Sequence, residues 1–161
     1  MKFRQWTMVA ALGLTAMSSA WAHDYKVGKI EVEDLWVRAS APNQANGAGY
    51  LEIENDANTA DRLVSVSSDA AERVELHTIQ KEEGVARMRH LPDGVEVPAD
   101  GEVKLAPGGH HVMFMKLKQP FTEGSEVPAV LKFEKAGEVA VKFKVKPLAY
   151  QPDRHGAQMK H

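Results

Sequence analysis

The sequence predicts an all-β chain folded as a single Greek-key β-sandwich or barrel. Three observations carry that prediction. Short segments alternate apolar and polar residues with a period of two, as where Val139, Val141, Phe143 and Val145 interleave with Lys142, Lys144 and Lys146. Turn-forming clusters recur between those segments, among them Asn43 to Gly47, Pro92-Asp93-Gly94, Pro107-Gly108-Gly109 and Lys135-Ala136-Gly137. No stretch sustains a helical period, although Ser68 to Arg73 has room for one turn. Many short strands without intervening helices indicate stacked or closed sheets.

The elements follow in order. Residues 1–22 read as a secretion signal: Lys2 and Arg4 give a positive start, Thr7 to Ala20 an apolar run, and Ala20-Trp21-Ala22 the small residues before a cleavage point. The run is too short, and too soon followed by Asp24, Lys26 and Lys29, to span a bilayer as a mature helix. Cleavage after Ala22 exposes His23 as the new first residue of an exported chain. Residues 23–28 read as a loose leader. Strands are then expected at Ile30–Ala39, Gly49–Glu54, Arg62–Ser67, Arg73–Ile79, Ala86–His90, Glu102–Leu105, His111–Leu117, Ala129–Glu134 and Glu138–Val145. The β domain thus occupies residues 23–146. From Pro147 to His161 the pattern stops, and a polar segment with Pro152 and Gly156 reads as a flexible tail.

Composition narrows the function classes. Loss of residues 1–22 removes two of 20 basic residues and none of 22 acidic ones, so the formal charge moves from −2 to −4. A mildly acidic chain is poorly suited to nucleic acid, whose binding rests on phosphate neutralisation. No further apolar run is long enough for a membrane span. Cysteine is absent. Disulfide staples, a cysteine nucleophile and a blue-copper thiolate are therefore all ruled out. No glycine-rich phosphate loop or nucleophile elbow is present either, which disfavours an enzyme.

What remains is histidine and methionine. All seven histidines lie after residue 22, but only four of the seven methionines do: Met88, Met113, Met115 and Met159. His111 and Met113 stand two apart on an expected strand, so both project from one face, roughly 6.6 to 6.8 Å apart along the chain. His110 has the opposite parity and reads as a turn histidine after Gly108-Gly109. Hairpin pairing across residues 79–85 brings His77, before the Glu82-Glu83-Gly84 turn, beside the strand carrying Met88. Two imidazoles and two thioethers around one ion make a soft donor set suited to copper(I). Two competing readings stand: Met113 and Met115 belong to the core with His77 a surface residue, or His90, in the Met-x-His pair of Met88 and His90, replaces or supports His77. Met115 itself is read as core packing.

The spacing from His77 through ten residues to Met88, then twenty-two to His111-Val112-Met113, resembles the signature of the periplasmic PCu(A)C-type copper chaperones. Flanking text matches as well: Leu35-Trp36-Val37-Arg38-Ala39, Asn46-Gly47-Ala48-Gly49-Tyr50, Val95-Glu96-Val97-Pro98, Pro107-Gly108-Gly109 and Phe133-Glu134-Lys135-Ala136-Gly137. Two departures are visible. The interval before His111 is one residue longer than the family pattern, and Leu35 stands where the family often has proline. The likeness spans about residues 24–146. It implies a cupredoxin-like sandwich in the periplasm with a copper(I) site of His77, Met88, His111 and Met113, and Trp36 and Arg38 as framework residues. It also implies delivery of copper towards the dinuclear copper centre of a cytochrome c oxidase subunit, alongside Sco-type proteins.

Auxiliary copper sites are suggested by His155, Met159 and His161 in the tail and by the amine and imidazole of His23, where copper(II) fits as well as copper(I). Two alternatives to a chaperone share these residues: a periplasmic copper store or scavenger without a dedicated acceptor, and a copper(II) enzyme using His23.

Overall fold

The computed structural model describes residues 24–152. Residues 1–22, read above as a secretion signal, and His23, His155, Met159 and His161 lie outside the described residues. Eleven strands run in chain order: β1 (Tyr25–Val27), β2 (Ile30–Arg38), β3 (Asn46–Asn55), β4 (Asp61–Ser67), β5 (Ala71–Glu82), β6 (Val85–His90), β7 (Val95–Val97), β8 (Gly101–Leu105), β9 (His111–Leu117), β10 (Glu126–Phe133) and β11 (Gly137–Lys146). The all-β expectation holds, and no helix among the described residues is long and apolar enough to cross a membrane.

Two strands escaped the sequence reading. β1 occupies part of the expected loose leader and pairs with β2, Tyr25 opposite Val32. β7 pairs with β4 and buries Val95 and Val97. Each is three residues long, too short for alternation to stand out. No helical turn is formed at Ser68 to Arg73; strand β5 begins at Ala71 instead.

The strands form one continuous ladder, β6-β5-β9-β3-β2-β11-β10-β4-β7, with β1 added to β2 and β8 added to β3. The neighbours are mostly distant in sequence, and β11 runs parallel to β2. Long β3 serves both ends: residues 46–49 pair with β9 and residues 51–55 with β8. One core fills the inside, built around Phe114, Phe133, Phe143, Leu63, Leu131 and Ile53.

A bulge in β2 decides which residues face outward near the site. Asp34 takes a left-handed φ of 48° and the β2–β3 register slips between Glu33 and Trp36. Before it Ile30 and Val32 point to the core; after it Leu35 and Val37 do. Trp36 is thereby turned to the opposite face, directly across from Tyr50. Their rings lie 4.5 Å apart by centroid. The first residues beyond β11 return to this pair. Tyr150 sets its ring 4.9 Å from Trp36, edge to face, and its carbonyl accepts from Arg38 Nε at 3.3 Å. The segment read as a free tail from Pro147 therefore begins with an anchored turn.

Candidate metal centre

β9 and β5 lie side by side and alternate strictly. Val112 and Phe114 face the core, across from Leu76 and Val74. The residues between them, His111, Met113 and Met115, therefore face outward, opposite His77, Glu75 and Arg73 respectively. His77 and His111 are thus direct cross-strand partners, ring centroids 5.8 Å apart. Both are nearly covered, at 8% and 3% exposure. Tyr50 on β3 flanks His111, 6.5 Å away by centroid, and joins the Trp36–Tyr150 cluster to the imidazole row.

The β5–β6 hairpin turns tightly. Glu83 and Gly84 take φ of 50° and 81°, the two left-handed residues of a two-residue turn, and Glu82 pairs with Val85. That turn fixes the register of everything above it. His77 falls opposite His90, and Met88 falls opposite Ile79. All four share the outward face. His90 becomes the second neighbour of His77, with ring centroids 5.5 Å apart. Met88 sits one pleat closer to the turn, diagonal to His77 and 51% exposed. Diagonal positions of an antiparallel pair lie about 7–8 Å apart, within reach of a long side chain.

Sequence parity is thus realised for His77, His90, His111 and Met113, which the structure gathers on one face. Met88 shares the face without lying in the same row. Met115, read as core, instead follows the parity of Met113 and lies outward, half-buried, with Arg73 Nη2 3.6 Å from its sulfur. His110 is partly buried and its Nδ1 has no hydrogen-bond partner.

Glu75 is the residue that sequence reasoning missed. It stands opposite Met113, and its Oε2 lies 2.8 Å from His77 Nε2. Its Oε1 lies 2.8 Å from Arg73 Nε, and His90 Nε2 is 4.0 Å from Oε2. The hydrogen bond from His77, with the Arg73 and His90 charges, holds the Glu75 carboxyl below its ordinary range against the opposing pull of burial. Its parity, two residues before His77, was the available signal.

These contacts assign the ring nitrogens. An ionised carboxylate only accepts, so His77 Nε2 donates to Glu75. In the neutral ring the lone pair is then on Nδ1, which is buried and has no partner in the protein. Likewise the Gly109 carbonyl takes the Nδ1 proton of His111 at 3.1 Å, leaving Nε2 of that ring as the free lone pair. Burial depresses the affinity of His111 for a proton, and the neighbouring His77 and His110 add to this, while the Gly109 bond opposes it. Each imidazole is therefore held in one tautomer with one nitrogen to offer, the arrangement in which a metal-binding histidine is oriented through its other nitrogen. A thioether at Met113 stands beside them. The donors present suit a soft ion.

A separate group of carboxylates, Asp24, Glu31 and Glu33, gathers on the first hairpin with oxygens within 4.8 Å. Lys26 is paired there with Glu31 at 2.9 Å. It offers only hard oxygen donors.

Comparison with known proteins agrees with this architecture. The family model described as "LpqE-like: Putative lipoprotein LpqE-like" matches residues 30–145. The protein "Putative lipoprotein Lxx21020" of Leifsonia xyli subsp. xyli is 30% identical over 147 residues, covering 87% of each chain. Among solved structures, the copper-bound PCuAC domain from PmoF2 is 31% identical with a TM-score of 0.66, covering 78% of this chain and 98% of that domain. The solution structure of CuI-DR1885 from Deinococcus radiodurans is 29% identical with a TM-score of 0.59, covering 81% and 85%. The fold is cupredoxin-like, as in these PCuAC domains, and the chain belongs to the LpqE-like family.

Proposed function

We propose that this protein is an exported copper(I) carrier that holds the ion between His77, Met88, His111 and Met113. One observation carries the reading: His77 and His111 are paired in register on the outward face, each with one lone-pair nitrogen left free, and Met113 follows one pleat along. Copper(I) favours such mixed imidazole and thioether donors and has no strong geometric demand. Met88, unbranched and exposed, supplies the fourth donor by reaching diagonally from β6. The similarity to a copper-bound PCuAC domain and to CuI-DR1885 supports the assignment.

The chain's own residues do three things for the ion. Glu75 and the Gly109 carbonyl orient the two imidazoles. The strands fix Met113 beside them. Half-exposed Met88 leaves an open side from which the ion is handed on by ligand exchange, which suits a carrier rather than an enzyme. Residues 1–22 and the lipoprotein name of the Leifsonia relative support export, with the periplasm as the compartment. The recipient we propose, the dinuclear copper centre of cytochrome c oxidase with Sco-type proteins alongside, rests on the family resemblance.

X-ray absorption on the copper(I)-loaded protein tests the site. Two sulfur and two nitrogen scatterers are expected, and an all-nitrogen shell overturns it. Transfer of copper to an isolated oxidase subunit fragment tests the recipient separately; no transfer leaves a store or scavenger.

A further inference from the structure

We infer that the outer edge of β6 docks an extended segment of the recipient protein as a further antiparallel strand, and that the segment it fits carries a methionine flanked on both sides by acidic residues. The identity of that partner as the recipient of the ion rests on the copper-carrier reading above; the edge itself does not. In a hairpin closed by a two-residue turn the flanking pair, here Glu82 and Val85, exchanges hydrogen bonds, and bonding then alternates along the strand. Val85, Arg87 and Arg89 therefore bond inward to β5, and the Leu91 N–H continues the series on the Leu76 carbonyl at 2.8 Å. The N–H and C=O groups of Ala86, Met88 and His90 point the other way, and among the described residues no strand pairs with them. Of the two ends of the ladder, β7 has three residues and β6 six, all exposed, with neither proline nor lysine to block addition.

An antiparallel strand added there bonds to Ala86, Met88 and His90 and sets one of its own residues directly opposite Met88, Cα atoms about 5.5 Å apart. That side chain falls beside the Met88 thioether, at the open side of the proposed site. A methionine in this place is a soft donor like the one it relieves. Passing copper(I) across exchanges one thioether bond for another, and no electron changes hands. The two flanking residues fall on the other face, opposite Arg87 and Arg89. These guanidinium groups share the single Glu82 carboxylate, and Thr78 and Gln80 across from them on β5 are uncharged. One positive charge is left over, on a chain whose formal charge is −2. Acidic side chains on the incoming strand match it. A second copy of this chain does not, because the registers that pair most of two β6 strands set arginine opposite arginine. Val85, exposed on the same side as the arginines, takes an apolar residue two places further on.

The test is a nuclear magnetic resonance titration of the metal-free chain with the peptide Thr-Glu-Met-Glu-Thr-Val. The amide signals of Ala86, Met88 and His90 are expected to shift and gain protection from exchange, while those of Arg87 and Arg89, already bonded, gain none. Replacing both peptide glutamates by lysine should weaken binding about tenfold, and a chain carrying Arg87→Glu and Arg89→Glu should bind the lysine peptide as the parent binds the original. Ala86→Pro removes an edge donor without touching the bonds to β5, so it should abolish pairing and leave copper(I) affinity at the parent value. Absent shifts, shifts at another surface, an affinity indifferent to the peptide charges, or self-association of the chain through β6 each overturn the inference. Failure of the underlying reading looks different: the peptide then still pairs with β6, but the chain loaded with copper(I) shows no sulfur scattering.

Discussion

Removing the carboxylate at Glu75 is the most informative single perturbation of the site. Glu75 touches no ion in the proposed copper(I) set, yet it fixes which nitrogen His77 presents. Its Oε2 takes the Nε2 proton at 2.8 Å while Arg73 Nε holds Oε1 at 2.8 Å, so the carboxylate is itself immobilised. In Glu75→Ala the His77 ring loses that anchor and is free to rotate or exchange tautomers, and Nδ1 is no longer held as the free donor. Loss of an outer partner of a metal-binding histidine typically weakens binding about 10–100-fold, or about 1.4–2.8 kcal/mol. Glu75→Gln keeps an oxygen that accepts from Nε2, so it should recover part of the loss. The assay is competition with a chromophoric copper(I) chelator at neutral pH, with circular dichroism to verify the sheet. If Glu75→Ala binds copper(I) within about twofold of the parent while remaining folded, the tautomer argument is wrong.

Other substitutions address separate parts of the molecule. Met113→Leu and Met88→Leu conserve volume and should each remove one sulfur scatterer from the copper(I) absorption spectrum; a count unchanged by Met88→Leu removes that residue from the site. Asp61 is buried and accepts from the backbone N–H groups of Arg62, Lys135 and Ala136 at 2.7, 2.9 and 2.9 Å. Burial pushes its carboxyl up, but these bonds and the Lys135 charge outweigh it and hold it below its ordinary value of 3.8. Its contribution to stability is therefore present above that value and lost as pH falls through the folded one. Asp61→Asn should cost about 1–3 kcal/mol at neutral pH in denaturant titration and flatten the acid limb of the stability profile. An alanine Cβ at Gly49 would meet Phe114 at 2.9 Å, Phe143 at 3.2 Å and Val37 at 3.3 Å. Gly49→Ala should destabilise by about 1–3 kcal/mol, visible as a lower Tm.

Much of the site was legible in the sequence because strand parity is arithmetic. His111 and Met113 two apart must share a face, and that holds whatever the strand packs against. Applying the same arithmetic to Met115 gives the outward position it occupies; the core reading failed because methionine's apolar character was weighed above its register. Cross-strand relations were less accessible. That His77 meets His90 rather than Met88 depends on the loop having two residues, and a one-residue shift would have reversed the faces of the whole strand. Trp36 reaches Tyr50 only through the bulge at Asp34, which leaves no pattern in a run of mixed residues. Glu75 was hidden for a different reason. A charged residue on an alternating strand looks like a solvated face until its contact with the histidine two residues along the same strand is known.

The topology gives the site two unequal ends. β9 lies between β5 and β3, and His111 on it is covered to 3% exposure with its ring tied to Gly109. β5 is likewise flanked on both sides, and His77 is tied to Glu75. β6 ends the ladder of described strands, and all six of its residues are exposed. A thioether carried on that strand costs little to release, because its surroundings are already solvated, whereas releasing His77 leaves its buried Nδ1 without a partner. In a four-donor set drawn from these strands, the bond to Met88 is therefore the one that an incoming ligand replaces first. In that proposed set, copper(I) would keep His77, His111 and Met113 as donors meanwhile. Retention would then come from the interior strands and exchange from the edge, as the place of the hairpin in the sheet dictates.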